Sequence, residues 1–297
     1  MRLNILSLIT CVLMCFAASA QSGTDYSLSK NQGHLFFETA LCGESVTIMV
    51  ESGIPAFLIG EEFYEQNKAE FDLTFTPSNK KMNLGGINTY DISFTANGVV
   101  SLDGAKYEGP VFVLRVFKDF RIPIQHLKSS EGGKSIVLID VPHGKMSVLS
   151  QYPDIQYGSK YRLRFDKNNC LPIVRADISF SGNNGRQIRL KEDLIIDFGN
   201  PMLLFLMKQN NRFAKLIDRD LIELHDAYNP DGVLIAQGIY SEYTFVCGKN
   251  FGETSIGVTD RMKSIRQFGF LGIPFFNVPV IFDFDKMELK TIEAKVR

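Results

Sequence analysis

The sequence predicts a mostly-β protein with an internal duplication, on three observations. Apolar residues fall in short runs, at 34–38, 90–94, 98–102 and 110–117, the length and pattern of half-buried strands. Between runs stand Asn97-Gly98, Asp103-Gly104 and Asn183-Asn184-Gly185, residues that tolerate the positive φ of tight turns. Finally, one phrase is written twice: an apolar strand running into an acid, one further residue and a glycine. The copies are Val46-Thr47-Ile48-Met49-Val50-Glu51-Ser52-Gly53 and Asp193-Leu194-Ile195-Ile196-Asp197-Phe198-Gly199. A strand that delivers a carboxylate to a glycine turn, twice per chain, is a way to bring two carboxylates together, and such a pair can share a proton and activate water.

Each element follows in order. Arg2, the apolar stretch at 5–16 and the small residues Ala17-Ala18-Ser19-Ala20 read as a signal peptide over 1–20, cleaved before Gln21, for a secreted or periplasmic protein. The apolar stretch is too short for a good membrane-spanning helix. The remainder divides into 21–155 and 156–297, halves of ordinary domain size. They meet where Gln151-Tyr152-Pro153-Asp154 interrupts the strand pattern. Short helices are expected at 60–68 and, longer, at 202–218. The formal net charge of −1 leaves no basic footprint for nucleic acid. Cys42, Cys170 and Cys247 are too far apart and odd in number for a disulfide framework or a metal motif. Four scattered histidines add no metal spacing. No G-x-S-x-G elbow is present, and Glu131-Gly132-Gly133-Lys134-Ser135 lacks the opening glycine of a phosphate loop.

The acid-Gly turns, and their order among the strands, resemble the retropepsin-like aspartic peptidases in a tandem, pepsin-like arrangement. In that family each lobe carries an apolar pair before Asp-Thr/Ser-Gly, and later an apolar pair before a closing glycine. In the second half Ile195-Ile196-Asp197-Phe198-Gly199 stands at the acid motif, Phe270-Leu271-Gly272 at the closing motif, and Val280-Ile281-Phe282-Asp283-Phe284 at the final strands. In the first half Glu51-Ser52-Gly53 stands at the acid motif, and Val137-Leu138-Ile139 at the closing position, without its glycine. The resemblance implies two related closed-barrel-like lobes with a cleft between them. It implies Asp197 as the ionised base and Glu51 as its protonated partner, with Ser52, Gly53, Gly199 and Asn200 around them. Leu84-Gly85-Gly86-Ile87 and Ala236-Gln237-Gly238-Ile239 would be the flap hairpins, with Gly85, Gly86 and Gly238 facing an extended substrate. No cofactor is implied, because water is the only nucleophile required.

The chain departs from that family at defined places. Glu51 adds a methylene, Ile54 cannot hydrogen-bond an acid, and Phe198 replaces a hydroxyl that would tie the lobes together. The expectation is therefore a homologue whose peptidase activity is lost or much reduced and which keeps a cleft for an extended peptide or another polymer. The alternatives are an active endopeptidase using Glu51 and Asp197, with an acid optimum, and a cell-envelope structural or partner-binding module whose cleft is filled by Phe198 and Phe57.

Overall fold

The computed structural model describes residues 23–84, 88–228, 234–262 and 265–292. The expected signal peptide lies outside the described residues. Alternation builds the strands. In His34–Leu41, Leu35, Phe37, Thr39 and Leu41 turn inward while their neighbours face outward, the period-two signature of a sheet with one wet face. Glu44–Glu51 begins the same way, but its last four residues are all buried, because both of its faces become covered as it enters the site.

The two halves repeat one pairing scheme around their acid strands. Glu44–Glu51 pairs in parallel with Phe120–Pro123, which pairs antiparallel with Phe57–Gly60, which in turn pairs in parallel with Ala105–Leu114. In the second half Gln187–Ile196 pairs in parallel with Gly269–Leu271, that strand antiparallel with Leu204–Met207, and that one in parallel with Thr254–Thr259. Helices Glu61–Asn67 and Asn211–Asp218 follow Phe57–Gly60 and Leu204–Met207 respectively.

A shared run of sheet joins the halves. Its order is Gly23–Ser27, Lys145–Leu149, Ile136–Asp140, Val280–Asp283, Glu288–Ile292 and Tyr157–Phe165. The first three strands come from the first half and the last three from the second. The seam is the antiparallel pairing of Ile136 with Asp283 through Ile139 with Val280. One hydrophobic core runs through both halves and includes Phe37, Val137, Phe198 and Phe282.

Four expectations are corrected. Among the described residues the strands form two open sheets, and neither closes into a barrel. Asn97-Gly98 is not a turn: both residues lie inside the long Asn88–Ser101 strand, opposite Pro110 and Gly109. Gly98 leaves room there for the Leu73 side chain, whose Cδ2 would lie 2.5 Å from a Cβ at this position. The helix expected over 202–218 is a strand followed by a shorter helix. The run Leu204–Met207 is bonded along both edges, and a continuous apolar run does not by itself distinguish strand from helix. The helix begins only after Asn210, whose side chain caps it by accepting from the Arg212 N–H at 3.0 Å. Lastly, Val137-Leu138-Ile139 is not the closing motif but part of the seam. The closing position belongs to Arg121-Ile122-Pro123, since Ile122 lies beside Val50 as Leu271 lies beside Ile196. Pro123 thus stands where the second half has Gly272.

Among the described residues no helix is long and apolar enough to cross a membrane.

Candidate functional site

Two strands end side by side, each spilling an acid into a glycine turn. Glu51 is the last residue of Glu44–Glu51 and Asp197 follows Gln187–Ile196 directly. Glu51 is only 3% exposed. The two carboxyls lie within hydrogen-bonding reach of one another. Their glycines make this approach possible, each serving the opposite acid. A Cβ on Gly53 would sit 2.5 Å from Asp197 Oδ1, and one on Gly199 would sit 2.2 Å from Glu51 Oε2.

Hydrogen bonds fix the turns. The Asp197 N–H donates to the Leu271 carbonyl at 2.9 Å, and the Asn200 N–H to the Asp197 carbonyl at 3.1 Å. The Gly199 N–H donates to Asp197 Oδ1 at 2.9 Å, which favours the ionised form of that acid. Ser52 ties the halves together. Its Oγ donates to the Ile196 carbonyl at 2.8 Å and accepts from the Phe198 N–H at 3.1 Å. The tie runs one way only. Phe198 has no hydroxyl to return it, and its ring is wholly buried against Phe276 and Phe282 at 4.7 and 5.7 Å. Gln125 serves the first turn instead, its Nε2 donating to the Ser52 and Ile54 carbonyls at 3.4 and 3.1 Å.

Burial sets the protonation of the pair. Desolvation, then the Asp197 charge, pushes Glu51 up to about 8, with Arg121 acting in the opposite direction. Desolvation also pushes Asp197 up, to about 6, against the Gly199 N–H, Glu51 and Arg121. A buried carboxyl in contact with a half-buried one cannot ionise cheaply beside it, so the two titrate as a pair, and the shared proton favours Glu51, the more buried of the two.

The pair opens into a cavity of about 630 Å³ lined by residues of both halves, including Gly53, Gly199, Leu84, Leu171 and Phe270. That volume suits a ligand of several residues' bulk. Ile54 forms part of the wall. Ser52 and Asn200 lie buried behind it, Ser52 at 0% and Asn200 at 8% exposure. Asn200 does not bond the acid: its Oδ1 accepts from the Met202 N–H at 3.0 Å, and its buried Nδ2 has no partner. Gly85 and Gly86 lie outside the described residues, though Lys81–Leu84 before them pairs with Asn88–Ser101 as a hairpin and carries Asn83 and Leu84 to the cavity. Gly238 sits within Leu234–Ser241, opposite His225 and Gly257, and does not line the cavity. Phe57 and Phe198 are wholly buried in the core and do not fill the cavity.

Three functional neighbours were not foreseen. Gln125 is one. Arg121 is the second, its Nη1 lying 3.3 Å from Glu51 Oε1 and its Nη2 3.8 Å from Asp119. It occupies the register held by Phe270 in the other half. Similar spacing from each acid to its closing motif, 72 residues from Glu51 to Pro123 and 75 from Asp197 to Gly272, was a signal for it; the missing glycine hid that signal. The third is His34, held below its ordinary value by burial and the Arg121 charge, against a hydrogen bond to the Gly199 backbone. Among the described residues no cluster of His, Cys, Asp and Glu could hold a metal ion, and Cys42, Cys170 and Cys247 are unpaired.

No protein-family model matches this chain, and no curated protein matches it.

Proposed function

We propose that this chain is a secreted hydrolase of peptide bonds, built as two related lobes of the retropepsin-like aspartic peptidase type, in which Glu51 and Asp197 act as the catalytic pair. The observation that carries this reading is the close approach of two carboxyls, Glu51 buried and Asp197 half-buried, at the floor of one cavity. Ionised Asp197 takes a proton from a water held between the acids as its oxygen attacks the amide carbon. Protonated Glu51 gives its proton to the carbonyl oxygen. Collapse of the tetrahedral diol breaks the C–N bond, the leaving amine takes the proton held on Asp197, and a hydroxyl proton of the collapsing diol returns to Glu51. The extra methylene of Glu51, read in the sequence as a misplacement, is accommodated by the glycine turn of the opposite half, where Gly199 leaves the longer side chain its space.

The competent form holds one proton. Burial raises both carboxyls above their ordinary values, so the pH window of that form is displaced upward from the ordinary carboxylate range. The test is cleavage of an unfolded protein by the chain from residue 21 onward, across about pH 3 to 9, with Glu51→Gln and Asp197→Asn beside it. Cleavage lost in both variants supports the reading; cleavage that survives in both removes it.

A second reading keeps the cleft and drops the chemistry: a peptide-binding homologue with lost or much reduced activity. The one-way Ser52 tie and the Arg121–Glu51 ion pair favour it. It predicts peptide binding with no cleavage at any pH.

A further inference from the structure

Four cations line the cavity, Lys80, Lys81, Arg121 and Arg261, and among the described residues its only acids are Glu51 and Asp197. When those two share a proton they carry a single negative charge between them. The cavity is therefore strongly cationic in a chain whose formal net charge is −1, so the excess is local to this wall.

The cations are also incompletely matched. No ion pair engages Lys80 or Arg261 among the described residues. Lys81 reaches Asp91 at 3.4 Å in an exposed pair, which is worth little in water. Arg121 is held loosely, at 3.3 and 3.8 Å from its two carboxylates, where a well-made guanidinium–carboxylate bond is about 2.7–2.9 Å. Its guanidinium lies over the Phe117 ring at 5.7 Å and remains 24% exposed. An exposed edge of a loosely held guanidinium beside the pair is open to a further carboxylate.

We infer that the cavity selects acidic peptides, an extended chain whose Asp or Glu side chain reaches Arg121 close to the pair while further acids meet Lys80 and Arg261. The apolar wall of Leu84, Leu171 and Phe270 takes the residues between. This inference rests on the proposed cleft and names its substrate class; it does not require that the pair cleave.

The experiment measures binding and cleavage separately. Three fluorescent peptides share one apolar core and carry Glu, Gln or Lys at the flanking positions. Affinity is read by anisotropy on the Asp197→Asn protein, and cleavage on the wild type. The Glu peptide is expected to bind on the order of tenfold tighter than the Gln peptide at low salt, a gap that narrows as salt rises. The Lys peptide should bind weakest. The Lys80→Glu/Arg261→Glu double variant changes two exposed side chains, and an unaltered melting temperature shows that it folds; it should reverse the order. Equal affinities for the Glu and Lys peptides, no measurable binding of any, or an order unmoved by the double variant would overturn the inference. A Glu peptide bound tightly but left uncut by the wild type at every pH removes the peptidase reading and leaves this one standing.

Discussion

Gly199→Ala puts the shared-proton geometry under direct strain. The new Cβ would lie 2.2 Å from Glu51 Oε2 and 2.6 Å from its Cδ, whereas ordinary contact begins at 3.4 Å. The Glu51 carboxyl must therefore retreat by about 1 Å, a displacement that costs on the order of 10²-fold when it separates catalytic groups. Crowding of this kind in a packed interior costs about 1–3 kcal/mol of stability. The expected result is a loss of about 10²-fold in kcat/KM with a protein that still folds. The assay is steady-state cleavage beside a thermal melt. Gly132→Ala is the control, since its Cβ meets nothing within 4 Å and its turn is remote from the cavity. Gly132 has a φ of +72°, so alanine there also strains the backbone and lowers stability, but it leaves the acids in place. A Gly199→Ala protein with wild-type kcat/KM and an unchanged pH profile would refute the claim that the two carboxyls work in contact.

Three further outcomes follow from the same geometry. Glu51 is raised on folding from 4.5 to about 8, so the native state binds more protons than the unfolded chain in between; the contribution of Glu51 to stability is therefore full below about 4.5 and is lost as pH rises toward 8. Glu51→Gln should flatten that slope in melts taken across the range, and an unaltered slope would count against the buried pair. Ser52→Ala leaves the Ile196 carbonyl and the Phe198 N–H without their cross-half partner, which should cost about 1–3 kcal/mol in chemical denaturation; a wild-type midpoint would show that Ser52 does not tie the halves. Arg121→Met removes a charge that lowers both acids, so both limbs of the pH–rate profile should move upward, and limbs that stay in place or move down would show that the guanidinium does not act on the pair.

The site was legible where chemistry needs a short contiguous phrase. Glu51-Ser52-Gly53 and Asp197-Phe198-Gly199 could be read as two turns offering carboxylates because strand, acid and glycine are local signals. Ser52's role followed from its place beside Glu51. Arg121 was not legible, because its importance is a matter of register. Only the pairing of Arg121 with Met49 and of Ile122 with Val50 places the guanidinium beside the acid. The apolar run at 136–139 offered a better match to the expected closing motif than Phe120-Arg121-Ile122-Pro123 does. Composition pointed to the wrong strand, since Ile136–Asp140 is the more apolar and more buried of the two while Phe120–Pro123 carries Arg121 and is half-buried at its start. The strand Leu204–Met207 was lost for a related reason: its two neighbours are supplied by Thr254–Thr259 and Gly269–Leu271, far along the chain, and local propensity does not see them.

The differences between the halves act together on one proton. Phe198 in place of a hydroxyl leaves the Ser52 tie without a symmetrical return, so among the described residues no hydroxyl of the second half reaches back to the Glu51 turn. The Glu51 turn is held instead by Gln125 from its own half. Asp197 receives the Gly199 N–H at 2.9 Å, a bond that stabilises its anion, while no backbone N–H bond to the Glu51 carboxyl occurs among the described residues. Glu51 meets a guanidinium, but at 3.3 Å, too far to outweigh its burial. Each departure from symmetry favours the same distribution, with the charge on Asp197 and the proton on Glu51. Asp197→Asn and Glu51→Gln therefore differ in kind. Asp197→Asn removes the base and leaves Glu51 without its main repelling charge, so the Glu51 titration should fall toward the ordinary carboxylate range. Glu51→Gln removes the acid proton that Glu51 offers to Asp197 and that lowers it, so Asp197 should ionise at no lower pH than in the pair. Carboxyl titrations of the two variants by ¹³C NMR read this directly. A Glu51 that stays raised in Asp197→Asn would mean that burial alone holds the proton, and that the two acids are neighbours but not a pair.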